Sequence, residues 1–175
     1  MADSILQIRN LSIDYPINIG TVRAVREVSL DLIKGEALGL VGESGCGKST
    51  LGLALLKLLR PPGIISNGQI LFKGEDVVRM RRKQLLSVRG HDIAMVFQNP
   101  LTSLNPLFRI DQQFYETMKQ HIPRIRKHKA AQRAEEILEA LGVEKKRLYD
   151  YPHQLSGGMR QRIMIGLGLI LNPEI

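Results

Sequence analysis

The sequence predicts an α/β fold that carries a helical subdomain, and three observations support this prediction. A strand-like apolar run at residues 37–41 leads into a glycine-rich loop at 42–50, and an apolar, helix-like run follows at 51–59. Residues 93–97 form a second continuous apolar run of strand length. Beyond the turn-rich connector that follows Gln98, the hydrophobic pattern is helical. Such an order of elements is typical of an α/β core with an added helical section.

The N-terminal third is predicted to be rich in β-structure. Apolar and polar residues alternate within 5–15 and within 28–32, which predicts two strands with a turn at 16–20 between them. Residues 69–72 predict a third short strand, which a turn at 73–74 ends.

Three helices have recognisable boundaries. Residues 49–59 are apolar on nearly all sides, which predicts a helix buried between layers that ends before Pro61. Residues 129–141 place their apolar side chains on one helical face, and Gly142 is well placed as the C-terminal cap. The last helix is predicted to begin after Ser156 as its N-cap.

The loop at 42–50 predicts a phosphate-binding site. Gly42 and Gly47 enclose four residues and Lys48 and Ser49 follow at once, which is the phosphate-loop pattern in a strand–loop–helix setting. Small residues allow a tight loop to direct several backbone N–H groups at a phosphate chain, and the next helix adds its own N–H groups and dipole. Lys48 can reach the terminal phosphates, and the Ser49 hydroxyl suits a bridging Mg²⁺ ion. We therefore expect a nucleoside triphosphate to bind at Gly42, Glu43, Ser44, Gly45, Cys46, Gly47, Lys48, Ser49 and Thr50.

Residues 155–161 suggest a second anion site. Ser156 would cap a helix, and Gly157 and Gly158 would let a ligand approach the backbone at the helix N-terminus. Taken alone, this stretch is explained as well by an ordinary capped helix that begins with two glycines. Its presence beside a phosphate loop in one chain favours the anion site.

Together these motifs resemble those of the ATP-binding subunits of ABC transporters, and the resemblance covers essentially the whole chain. The loop at 42–50 resembles Walker A, Gln98 the Q-loop glutamine, and residues 155–161 the signature motif. The resemblance implies a P-loop NTPase (RecA-like) core with an N-terminal antiparallel β-subdomain and an inserted α-helical subdomain. It also implies three parts: residues 1–98 as the N-terminal part of the core with the β-subdomain, 99–160 as the connector and helical subdomain, and 161–175 as a helix that returns to the core.

The resemblance further implies ATP and Mg²⁺ as cofactors. Tyr15 is the residue expected to stack on adenine, and Ser49 and Gln98 are those expected at the metal ion. Gln98 is also expected to position the attacking water and to signal toward a membrane subunit. The plainer interpretations are an aromatic residue at a sheet rim for Tyr15 and a polar strand end for Gln98.

In this family ATP lies between Walker A of one subunit and the signature motif of another. Ser156, Gly157 and Gly158 are therefore expected to act on a partner's nucleotide, and Gln161 is assigned to the same nucleotide site. The resemblance thus implies a second ATP-binding subunit, identical or not.

Three stretches, 20–25, 97–106 and 151–154, closely resemble the importers of di- and oligopeptides and of nickel. In those importers two ATP-binding subunits lie beneath two membrane permeases, and a separate binding protein delivers the solute. No run approaches the roughly 20 apolar residues of a membrane helix, and no secretion leader begins the chain. We expect a peripheral protein at the cytoplasmic face of the inner membrane.

Charge leaves other functions to consider. The net charge is +8, and the basic residues concentrate at 79–89 and 121–133. Such runs suit nucleic acid or acidic lipid headgroups, but solvated faces more often explain them, and neither run has the interleaved aromatics of a single-strand platform. We expect no nucleic-acid partner. An ATPase of DNA repair or maintenance and a non-hydrolytic ATP-binding module are the alternatives.

No general base can be assigned in this sequence. In the family, the Walker B strand with its catalytic carboxylates would follow residue 175, so the resemblance implies that the C-terminal part of the core is missing here. General-base assistance contributes about 10²–10⁴-fold, so we expect these residues to bind ATP but scarcely to hydrolyse it. An open edge beside the loop strand would also leave the chain marginally folded or aggregation-prone.

Overall fold

The N-terminal strands pair into an antiparallel sheet in the computed structural model, which describes residues 4–98 and 103–175. The strands are β1 (Ser4–Ile17), β2 (Gly20–Ile33), β3 (Ile64–Phe72) and β4 (Glu75–Asp76), in the order β2-β1-β3-β4. The three N-terminal strands predicted from alternation are confirmed, and each is longer than its sequence pattern. The predicted turn at 16–20 is wrong in extent, because Pro16 still pairs with Thr21 and Ile17 with Gly20.

A bulge bends the centre of this sheet. The pairing of β1 with β3 shifts register between Arg9 and Ser12. At the same place Gly68 has a φ of +91°, and a Cβ there would lie 2.5 Å from the carbonyl oxygens of Arg9 and Asn10. No other residue type fits so close to the neighbouring backbone in that conformation. Ile8, Leu11 and Ile70 are nevertheless fully buried on either side of the bulge.

Two predicted strands, 37–41 and 93–97, are wrong. Residues 37–41 lie outside every strand, and Val41 is 99% exposed. Within 93–97 the backbone forms only an isolated parallel bridge between Arg89 and Ile93 and a hydrogen bond from Ala94 N–H to the Ile175 carbonyl at 2.8 Å. A strand requires a neighbour to complete its hydrogen bonds, and among the described residues no strand pairs with either run.

The first helix, α1 (Lys48–Leu55), is shorter than the predicted 49–59. It ends because Lys57 adopts a left-handed conformation, with φ +52°. The Lys57 and Leu58 N–H groups then bond back to Ala54 and Leu53, which satisfies carbonyls at the helix end. Within α1 only Leu51 and Ala54 are buried, so the predicted burial on all sides is also wrong.

The remaining helices are α2 (Arg82–Val88), α3 (Ile110–His121), α4 (Lys127–Ala140) and α5 (Gly157–Leu169). Two short 3-10 helices, Lys145–Tyr149 and Pro152–Gln154, lie between α4 and α5. The structure divides into two compact units, Met1–Leu86 and Ser87–Ile175. The division of the sequence at residues 98 and 160 stays a prediction.

A helical core holds the second unit together. Phe114 of α3 is fully buried, as are Ala134 and Leu138 of α4 and Ile163 of α5. Gly166 lets α5 approach closely, because a Cβ there would lie 3.2 Å from Phe114 and from Ile137. The whole cluster comprises Leu104, Ile110, Phe114, Met118, Ala130, Ala134, Leu138, Val143, Leu148, Leu155, Ile163, Met164 and Ile170.

Both predicted helix caps in this unit are confirmed. Gly142 has a φ of +69° just after α4, where a left-handed residue closes the helix. Ser156 is the N-cap of α5, and its hydroxyl accepts a hydrogen bond from the Met159 N–H. Among the described residues, no helix has both the length and the apolar character that crossing a membrane requires.

Replacing Phe114 by alanine should weaken the second unit strongly. Truncating a fully buried phenylalanine typically costs about 3–5 kcal/mol of unfolding free energy, and Phe114 is 0% exposed. Urea denaturation followed by far-UV circular dichroism measures this loss. The matched control is Glu116→Ala, on the exposed side of the same helix, which should change stability by less than about 0.5 kcal/mol. Equal midpoints for the two variants would contradict this assignment of the core.

Candidate nucleotide-binding site

The glycine-rich loop turns twice through left-handed backbone before α1 begins. Gly45 has a φ of +86° and Gly47 a φ of +96°, and Gly47 is the N-cap of α1. The Leu51 N–H donates to the Gly47 carbonyl at 2.8 Å, which closes the first helical turn. The preceding N–H groups, including those of Ser49 and Thr50, have no intrahelical acceptor and point along the dipole axis toward the loop.

The loop is fixed against the β-sheet at Gly47. A Cβ on this residue would collide with the carbonyl oxygen of Ala24 in β2 and lie 3.3 Å from a methyl of Val25. Val25 in turn pairs with Ile13 of β1, so the loop lies on the hairpin. At the start of the loop, a Cβ on Gly42 would lie 2.7 Å from Cys46 Sγ. A side chain is therefore excluded at Gly47, where it would meet backbone, whereas at Gly42 it would only displace the Cys46 side chain.

Lys48 lies across the loop that precedes it. Its Nζ donates to the carbonyl oxygens of Gly42 and Glu43, each at 2.7 Å, and lies 3.4 Å from Cys46 Sγ. All three ammonium donors therefore have partners within the loop. Two of these acceptors are neutral carbonyls, and a phosphate oxygen would offer a stronger, charge-assisted bond to the same group.

The residues present fit a triphosphate and its magnesium ion. The first turn of α1 contains no acidic residue, so the helix N-terminus and Lys48 form an electropositive surface. Ser49 is exposed at this end of the helix. The described residues hold no group of three or more His, Cys, Asp or Glu side chains able to bind a metal ion. A magnesium ion here would depend on phosphate oxygens and water with few protein ligands, as this ion usually does.

Tyr15 lies on the same hairpin as the loop contact. It belongs to β1, pairs with Val22, and is two residues from Ile13, the pairing partner of Val25. The ring is half-buried and packs against Gly63, where a Cβ would lie 2.6 Å from Tyr15 Cε1. Tyr15 and the phosphate loop therefore lie within one unit. Tyr15 belongs to β1, and the loop contacts the neighbouring strand β2.

Two contributors to this site were missed in the sequence. Ala24 supplies the carbonyl under Gly47, and Gly63 supplies the surface on which the Tyr15 ring rests. Both roles arise from contacts between segments distant in sequence, so no local pattern marks Ala24. The run Pro61-Pro62-Gly63 predicts the end of a helix, and nothing local in it indicates a contact with Tyr15.

The predicted second anion site lies in the other unit, at the start of α5. Ser156 Oγ accepts from the Met159 N–H at 3.3 Å, and buried Leu155 anchors the preceding turn. Gly157 and Gly158 are exposed, and a Cβ on either would meet nothing within 4 Å. Gln161, one turn further, is exposed as well. The first turn of α5 is therefore open to a ligand.

Gln98 is also placed in the second unit. It is exposed and lies outside every helix and strand, five residues after Ile93. The stretch 97–106 that resembles peptide and nickel importers includes residues 99–102, which lie outside the described residues. Each of the two units thus holds part of the predicted nucleotide site.

Comparison with known proteins decides the family. The ABC transporter family matches residues 25–175, which contain both glycine motifs and Gln98. The chain belongs to the ABC transporter family. The resemblance seen in its motifs is thereby confirmed.

Curated relatives point to peptide transport proteins. The chain is 43% identical to the oligopeptide transport ATP-binding protein OppD of Bacillus subtilis, over 98% of this chain and 48% of that protein. It is 42% identical to the dipeptide transport ATP-binding protein DppD of the same organism, over 99% of this chain and 52% of that protein. The chain therefore spans about half the length of these relatives.

Solved structures confirm the fold class. The ATP-binding cassette MJ0796, solved as a dimer in a post-hydrolysis state with ADP and Pi, matches with a TM-score of 0.84 and 25% identity, over 96% of this chain and 70% of that chain. The chain is thus an α/β protein of the P-loop NTPase type, with an antiparallel sheet and a set of helices, as the motifs predicted.

Gly47→Ala should abolish nucleotide binding more completely than Gly45→Ala. Both glycines have positive φ, but only at Gly47 would a Cβ also collide with backbone, at Ala24. A loop displaced from β2 would no longer direct the α1 N–H groups at the phosphates. We therefore expect the affinity for MgATP to fall at least about 30-fold in Gly47→Ala, against a few-fold in Gly45→Ala. Titration with a fluorescent ATP analogue measures both. Equal losses would show that the loop does not depend on the Ala24 contact.

Proposed function

We propose that this chain is the nucleotide-binding part of the motor subunit of an ABC importer, which couples ATP binding and hydrolysis to uptake of peptides across the cytoplasmic membrane. The observation that carries the proposal is the loop before α1, in which Lys48 and the helix N-terminus converge beside Gly47, where no side chain fits. The 43% identity to an oligopeptide transport protein supports peptides as the solute class.

In this proposal the residues of the first unit hold MgATP. The N–H groups of 42–50 and Lys48 bind the phosphates, and the Ser49 hydroxyl contributes to the magnesium ion. Tyr15 stacks on adenine through its aromatic ring, which is half-buried beside Gly63. Gln98 completes the magnesium site and positions water when nucleotide is bound.

The residues of the second unit act on a partner's nucleotide. Ser156, Gly157, Gly158 and Gln161 present an open helix N-terminus, which is suited to the terminal phosphates of ATP held by another subunit. The dimeric state of the ATP-binding cassette MJ0796 supports this arrangement. Two permeases and a solute-binding protein are the further partners, and the chain is proposed to lie at the cytoplasmic face of the membrane.

Binding and hydrolysis separate in this proposal. The assigned residues bind phosphate, magnesium and adenine, and none of them is a carboxylate or histidine placed to activate water. By itself, the chain is therefore proposed to bind ATP and to hydrolyse it very slowly, since general-base assistance contributes about 10²–10⁴-fold.

A chimera tests the motor role. We would replace the matching segment of Bacillus subtilis OppD with this chain, in cells that lack OppD, and measure uptake of a radiolabelled oligopeptide. Restored uptake that Lys48→Ala abolishes is the expected result, because the ammonium holds the terminal phosphates. A matched control is Lys34→Ala, which removes an exposed lysine in the same unit but outside the loop. A chimera that binds MgATP but never supports uptake would contradict the peptide assignment.

Nickel is the other solute class that the sequence suggests. The same replacement in the ATP-binding subunit of a nickel importer, with uptake of radioactive nickel as readout, separates the two. Restoration there and not in the OppD chimera would assign the chain to nickel import.

Ser156 offers a test of action on a partner's nucleotide. Ser156→Ala removes the α5 cap and should cost about 1 kcal/mol of stability. Ser156→Asp keeps a capping oxygen and favours the helix dipole, but it places a negative charge where phosphate is proposed to bind. We therefore expect Ser156→Asp to be as stable as the native chain, to bind MgATP normally at Lys48, and to abolish uptake in the chimera. If uptake were undiminished in Ser156→Asp, Ser156 would not be part of the nucleotide site.

A further inference from the structure

The turn between α3 and α4 carries a concentrated positive charge. From Lys119 to Lys129 (hereafter the basic turn) the chain has five lysines and arginines, namely Lys119, Arg124, Arg126, Lys127 and Lys129. His121 and His128 add two groups that can become charged. The nearest acidic residues along the chain are Glu116 and Glu135, so no carboxylate interrupts the segment.

These charges are exposed and are not paired within the fold. Arg124, Arg126 and Lys129 are all exposed. Among residues 4–98 and 103–175, none of these three side chains has an ion pair or a hydrogen bond. The basic run at 79–89 differs, because Arg79 lies 3.4 Å from Asp76.

The position of the charges works against helix stability. Arg126 is the N-cap of α4 without a side-chain cap, and the first turn contains no acidic residue. Cations at a helix N-terminus repel the positive end of the helix dipole, so each such placement is unfavourable. The cations at the start of α4 therefore gain nothing from the helix dipole, and an anionic partner at this surface would replace the repulsion by an attraction.

Apolar side chains accompany the charges. Ile122 is 45% exposed at the tip of the turn, next to exposed Pro123. Lys119 and Lys127 both lie over the Tyr115 ring, at 5.4 and 5.7 Å from its centroid, so two cations are held at one surface. A surface with cations around a protruding aliphatic residue suits a lipid interface, where the apolar group enters the headgroup region. A nucleic-acid backbone offers no such site for Ile122.

We propose that the basic turn binds directly to anionic phospholipid headgroups at a membrane surface. Each juxtamembrane cation strengthens binding to a negatively charged leaflet by about five-fold. Such binding would add to any attachment through protein partners and would orient the helical unit against the bilayer. The inference needs neither ATP nor permeases, so its failure and that of the proposed function can be told apart.

The test measures binding of the full chain to vesicles by co-sedimentation. Vesicles of phosphatidylcholine alone are compared with vesicles that contain about 30% phosphatidylglycerol, at low salt and at about 0.5 M salt. We compare the variant R124Q/R126Q/K129Q with the control R81Q/R82Q/K83Q, which loses the same three charges from an exposed basic run elsewhere. Both variants have a net charge of +5, that is +8 minus 3.

The expected result is binding to the anionic vesicles alone, weakened by salt and lowered about a hundred-fold in the basic-turn variant. Ile122→Ser should lower it a few-fold further. The control variant should bind within about three-fold of the native chain, and circular dichroism should show that both triple variants remain folded. Equal losses of vesicle binding in the two triple variants would show that only the net charge matters, which would overturn the proposal. Preferential binding to duplex DNA in a competition with the vesicles would overturn it as well.

Discussion

The close approach of Gly47 to the Ala24 carbonyl is the contact on which the nucleotide site depends. It fixes the start of α1 on the β1–β2 hairpin, at a point where no side chain fits. Because α1 begins at Lys48, the same contact sets where the helix N–H groups point and where the Lys48 ammonium can reach. Tyr15, which we propose to stack on adenine, lies on the same hairpin, so in this proposal one sheet positions both ends of the nucleotide.

Lys48 can stabilise the loop and still be available to bind a phosphate. Its ammonium satisfies the carbonyls of Gly42 and Glu43, which otherwise would turn lone pairs toward the place where phosphate binds. A phosphate chain competes for the ammonium with charged oxygens, and charge-assisted hydrogen bonds are roughly twice as strong as neutral ones. The exchange therefore favours the ligand without requiring the loop to refold, since its turns are set by Gly45 and Gly47.

The sequence predicted the elements whose determinants are local. Alternation marked β1 and β2, the Ser156 cap marked the start of α5, and Gly142 the end of α4. The strand predictions failed for 37–41 and 93–97. An apolar run indicates that a segment prefers burial, but it does not show that a neighbouring strand exists to pair with it. The motif residues assigned to the site stay a prediction. The supporting contacts of Ala24 and Gly63 were not predicted, because they join segments that only the fold brings together.

The two glycine motifs owe their glycines to different causes. Gly47 is required by the chain itself, through its positive φ and the Ala24 carbonyl. Gly157 and Gly158 have neither reason, since a Cβ on either would meet nothing within 4 Å and neither has a positive φ. Glycine is also a poorer helix former than alanine, so neither residue favours the start of α5. A pair of glycines that weakens its own helix, and that no internal contact explains, is best explained by a ligand that must approach the backbone there. Phosphate held by a second subunit is such a ligand.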